Sequence, residues 1–220
     1  MTARHYVLAL LLVSLDASSM ATETREALLV ALPADEAEQA LDGVLAERGF
    51  ERAVARPPRP PETVARSDAR FFDVEAVQSA LTLIREWAGY SDATTWGSAL
   101  ELAKGLPSAA RMEMALPPAL SVLARALSRR ETVVGVAVRE KPGHLVGVTF
   151  RDGRAVDVIT VVKDRIAIGV DGQPRSATRP EARAHLIQWL ARYGVDAETV
   201  ALVLGERDLP ATWRVTYLSS

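Results

Sequence analysis

Thr132 to Val170 reads TVVGVAVREKPGHLVGVTFRDGRAVDVITVVKDRIAIGV, four apolar runs separated by short polar segments. Within the runs Val134, Val136 and Val138 alternate, as do Val146, Val148 and Phe150, then Ile166, Ile168 and Val170. A period of two is the pattern of a half-buried strand. The separators EKPG, RDGR and KD are turn sequences, and Asp152-Gly153 suits a two-residue hairpin turn. The stretch therefore predicts a four-stranded antiparallel meander with one buried face, or five strands if a closing strand joins it. This sets the fold class as α+β.

Towards the C-terminus, two helices and a strand are expected. Thr178 and Glu181 have capping-box spacing with Pro180 in the first turn, and Ala182, Leu186, Trp189, Leu190 and Tyr193 mark the inward stripe. Gly194 ends that helix, Asp196 caps the next, and Thr212 to Leu218 alternates as a strand. The second helix, AETVALVL, carries no basic residue, so a DNA-reading helix-turn-helix is not expected.

Towards the N-terminus, residues 22–56 predict a β-α-β segment. Glu26 to Leu32 is the first strand, Asp35 the cap of a helix through Ala37, Leu41, Val44 and Leu45 ending at Gly49, and Glu51 to Arg56 the second strand. Residues 57–72, within and after RPPRPP, read as a proline-stiffened linker. Residues 73–130 read as helical: Val74, Val77, Leu81, Ile84 and Ala88 recur at helical spacing behind Asp73, a shorter helix covers Ser98 to Lys104, and a third opens at Pro117-Pro118. The domain reading is thus 1–21 as a leader, 22–56, 57–72, and 73–220 as a helical segment joined to the sheet.

Met1 to Ala21 has the order of a secretory signal peptide: Arg4, the apolar run Tyr6 to Leu15, and small residues at Ser19 and Ala21. The alternative is a buried core strand of a cytoplasmic protein. Export is favoured, with no membrane-spanning segment in the mature chain, since the run is shorter than the ~20 apolar residues a span requires. Asp16-Ala-Ser18-Ser19 resembles the start of the metal-binding DxSxS motif of von Willebrand A domains, which implies oxygen ligation of a divalent cation. Met20 stands where the second serine belongs, and no metal site is assigned.

Composition narrows the chemistry. The chain has 220 residues, a net charge of −2 and no cysteine, which excludes disulfides, thiolate metal sites and cysteine nucleophiles. The near-neutral balance offers no global attraction for nucleic acid. Glycine-rich phosphate loops, GxSxG and HxxxH are all absent, and His5, His144 and His185 are widely separated. Asp152 and Asp157 flank one hairpin and read as turn and surface residues. No catalytic, cofactor or metal residues are assigned. One feature exceeds background: Trp87, Tyr90 and Trp96 lie within a ten-residue polar connection, the composition of a partner-contact loop. The expected function is a non-enzymatic adaptor or inhibitor-like protein that binds another protein. The alternatives are a hydrolase or transferase assembled from dispersed histidines and acids, and a cytoplasmic subunit of a larger assembly.

Overall fold

A computed structural model describes residues 24–53, 69–86, 116, 118–139, 144–162, 164–169, 172–204, 206–207 and 214–219. In chain order the elements are β1 (Thr24–Val30), α1 (Ala34–Ala46), β2 (Phe50–Arg52), β3 (Ala69–Gln78), β4 (Leu81–Glu86) and α2 (Pro118–Leu127). There follow β5 (Val133–Arg139), β6 (His144–Arg151), β7 (Arg154–Val162), β8 (Arg165–Ile168), β9 (Arg175–Ser176), α3 (Arg179–Ala191), α4 (Ala197–Val203) and β10 (Arg214–Ser219). All ten described strands form one antiparallel sheet in the order β2-β10-β3-β4-β1-β5-β6-β7-β8-β9.

The expected meander is present as β5 to β8, but it is half of a larger sheet. Its centre is buried on both faces, not one. On the first face Val133, Ala137, Val146, Val148 and Phe150 pack with α1 and α2, through Leu41, Leu45, Leu120, Leu123 and Leu127. On the second, Val134, Val136, Ile159, Val161 and Ile166 pack under α3 and α4, through Leu186, Trp189, Leu190 and Val200. The near-continuous Val/Ile runs follow from this, since a strand covered on both sides needs apolar side chains of both parities.

The largest correction lies at residues 73–86. These form the β3–β4 hairpin, with Asp73 opposite Arg85 and Val74 opposite Ile84. The apolar spacing that suggested a helix belongs to two strands joined by a turn at Ser79-Ala80, which lacks the glycine, asparagine or proline that would have revealed it. The expected linker at 57–72 also gives way to β3 from Ala69 onward. The residues of the expected Ser98–Lys104 helix lie outside the described set, as does the expected Met1–Ala21 leader; the third helix forms as α2.

The N-terminal β-α-β segment is correct in order, yet β1 and β2 are not neighbours; β10, β3 and β4 lie between them. The first cap is Pro33, not Asp35, which sits in the first turn with Glu36 where their charges favour the helix dipole. At the other end the expected devices are in place. Thr178 and Glu181 form the capping box, with the Thr178 amide donating to Glu181 Oε2 at 2.7 Å, and Asp196 Oδ1 accepts the Thr199 amide at 2.7 Å.

Candidate functional site

The turn between β6 and β7 organises the most distinctive part of the surface. Asp152 and Gly153 have φ of 52° and 73°, the two left-handed conformations that a tight hairpin turn of this kind requires. Arg151 and Arg154 face each other across its base. The turn is fastened to α2: the Gly153 amide donates to Ser128 Oγ at 3.1 Å, and the Arg125 Nε donates to the Gly153 carbonyl at 3.4 Å.

Beyond the turn the ladder slips. Thr149 pairs with Asp157 and Phe150 with Ala155, so Val156 is the extra residue of a β-bulge. The bulge resets the alternation. Ala155 packs with the α1/α2 core alongside Phe150, while Asp157 turns to the other face under α3.

There Asp157 gathers three donors on one oxygen. Trp189 Nε1 donates to Asp157 Oδ2 at 2.9 Å, the Tyr193 hydroxyl at 2.7 Å and Arg192 Nη2 at 3.0 Å. Its Oδ1 accepts the Val158 amide at 2.9 Å. Burial pushes the Tyr193 hydroxyl above the usual phenol range; Thr149 works against that and Asp157 with it. A carboxylate with this many donors is a fastener between β7 and α3, since the buried Trp189 and half-buried Tyr193 would be costly to leave unmet. The expectation of Asp157 as a surface residue is therefore wrong, whereas Asp152 is exposed. One signal was available: Asp157 shares parity with the apolar Ile159 and Val161 in its strand.

The outer side of β7 is only partly covered. β8 pairs with Ile159 to Val162, and the Gly169 amide reaches the Val158 carbonyl at 2.7 Å before the chain turns away at φ 84°. Among the described residues no strand lies beside Arg154 to Asp157 on that side. Val156 is 45% exposed there.

Other polar groups are committed to structure. Arg52 pairs with Glu38 at 2.6 Å and Asp42 at 3.2 Å, and the Tyr217 hydroxyl donates to Asp42 Oδ1 at 2.6 Å. Arg70 grips Glu86 through two bonds, at 2.9 and 2.8 Å, with its guanidinium over the Phe72 ring. His185 Nε2 lies 2.8 Å from Arg175 Nη2. His144 opens β6 opposite Arg139 and Val162. Trp87, Tyr90 and Trp96 lie outside the described residues, as do His5 and the Asp16–Met20 motif. Among the described residues no group of three or more His, Asp or Glu is placed to hold a metal ion, and no helix is long and apolar enough to cross a membrane.

The chain matches no protein-family model, no curated protein and no solved structure. What the site does must be argued from its own geometry.

Proposed function

We propose that this chain is a non-enzymatic protein-binding protein, adaptor or inhibitor-like, that engages its partner through the outer edge of β7. The observation that carries the reading is the outer side of Arg154 to Asp157, beside which no strand lies among the described residues, in a strand otherwise paired on both sides. An edge of this kind offers main-chain donors and acceptors to an incoming extended segment. Two features keep it from pairing indiscriminately: the bulge at Val156 and the charge of Arg154. The Asp157 cluster fastens this edge to α3 on one side, and Ser128 and Arg125 fasten its turn to α2 on the other.

The location proposed with it is outside the cytoplasm, on the leader pattern of Met1 to Ala21. The first strand begins at Thr24, so cleavage after Ala21 leaves every described element whole. N-terminal sequencing of the protein from its native host checks this, with Thr22 as the expected first residue.

The binding reading is tested by capturing the partner on the full chain and mapping amide hydrogen exchange in the complex. Slowed exchange at Arg154 to Asp157, and weaker capture by Val156→Asp, is the expected result. A complex in which these amides exchange as in the free protein overturns it.

A further inference from the structure

The corner of the molecule at the start of this edge carries exposed arginines. Arg151 and Arg154 stand there exposed on adjacent strands, and Arg125 and Arg129 meet the turn at Gly153. Gly153 lies against the Arg129 side chain, where a Cβ would sit 3.5 Å from Cγ, and its carbonyl accepts from Arg125.

Local structure accounts for part of this cluster. Arg129 and Arg130 follow the C-terminus of α2, where the dipole favours cations, and the Arg130 guanidinium packs over Gly43 of α1. It does not account for Arg151 and Arg154. These are directly opposite each other on adjacent strands, an arrangement in which like charges oppose pairing. They also stand at the mouth of the uncovered edge, one residue from the bulge.

We infer that this arginine corner selects the partner: the segment that adds to β7 is an extended, acidic stretch of protein. This rests on the edge-binding reading above and names the partner's chemistry. Backbone pairing along Arg154 to Asp157 supplies the register, Val156 supplies an apolar contact, and the arginines supply the sign. Glutamates or aspartates at alternate positions of the incoming strand would neutralise Arg151 and Arg154, relieving the repulsion that the free hairpin carries. Positively charged segments, including another copy of this same edge, are rejected by that charge.

The test uses the full chain and a labelled synthetic peptide of about ten residues alternating glutamate and valine, long enough to pair with a single strand. Fluorescence anisotropy should show binding that weakens as salt rises. Affinity should fall about tenfold or more in Arg151→Glu/Arg154→Glu and be retained in Arg151→Lys/Arg154→Lys. The neutral pair Arg151→Gln/Arg154→Gln, with an unchanged melting curve, reads the loss of charge without its reversal. Equal affinity of the charge-reversed variant overturns the inference, as does equal binding of a lysine–valine peptide. Tighter binding of a duplex oligonucleotide or of phosphatidylserine vesicles also overturns it and assigns the corner to another polyanion. The two readings fail separately. A natural partner that protects Arg154 to Asp157 yet binds the charge-reversed variant equally removes the acidic-partner inference and leaves the edge. Protection confined to another surface removes the edge itself.

Discussion

At the residue scale, close packing makes two glycines unequal. A Cβ on Gly147 would lie 2.7 Å from Trp189 Cζ3 and 2.9 Å from Ile159 Cγ2. The indole is fully buried and held by its bond to Asp157, so it has nowhere to retreat. Gly147→Ala should cost about 1–3 kcal/mol, the range for overpacking a filled core. A Cβ on Gly135 would clash with Leu116 Cδ1, but that is the tip of a side chain able to change rotamer. Gly135→Ala should therefore be the milder change, and urea unfolding of the two variants checks the order. Two tyrosines make a second prediction. Burial, then hydrogen bonding to Asp42, raises the Tyr217 hydroxyl well above its ordinary value; burial raises Tyr193 as well. A group with a raised folded pKa contributes stability that is complete below its unfolded value, about 10 for tyrosine, and is lost as pH climbs beyond it. Stability should hold to about pH 10 and then fall, because the unfolded chain releases these protons first. Tyr217→Phe should flatten that alkaline decline, as read from urea midpoints across the range; an unchanged slope would remove Tyr217 as its source.

At the element scale, the capping chemistry was legible because it is local. Thr178, Glu181, Asp196 and Gly194 announce the limits of α3 and α4 within a few residues of where they act. Gly194 adopts φ 78°, the left-handed turn that links the two helices. α4 spans seven residues and cannot persist without its cap and its packing against the sheet. Asp196→Ala should destabilise the protein by about 0.5–2 kcal/mol, with faster amide exchange confined to α4. Exchange that quickens equally in α3 would show that the two helices share one unit. The hairpin of β3 and β4 was illegible for a related reason. Its apolar residues satisfy a helical spacing and a strand spacing together, and the turn between them carries no diagnostic residue. What separates the two readings is a set of partners distant in the chain: Val215 lies opposite Phe72, and Leu29 opposite Leu83.

At the scale of the whole molecule, the sheet is ordered by its last strand. β10 inserts between β2 and β3, with Val215 and Tyr217 buried in the α1/α2 face. Ending the chain at Arg207 should expose that interior flank and abolish cooperative unfolding of the first core. Loss of the near-ultraviolet dichroism and gain of dye binding are the readouts. A truncated chain that unfolds as sharply as the full one would show that β10 is dispensable. The same distance in sequence hid the surface site. Nothing local sets Arg125, Arg151 and Arg154 apart from the other arginines, and Asp157 reads as one acid near a turn. Only the docking of α2 brings Arg125 to the turn at Gly153, and only the bulge and α3 turn the acid inward. The sequence by itself determined the α+β class, the antiparallel strands, the caps of the two C-terminal helices and the absence of cysteine chemistry, because these depend on composition or on neighbours within a few residues. The tertiary structure alone decided the order of the ten described strands, the burial of both faces, the roles of Asp157 and Tyr217, and the bulge in β7. Each of those depends on which distant segments remove a given side chain or backbone group from water, and no local pattern of residues encodes that pairing.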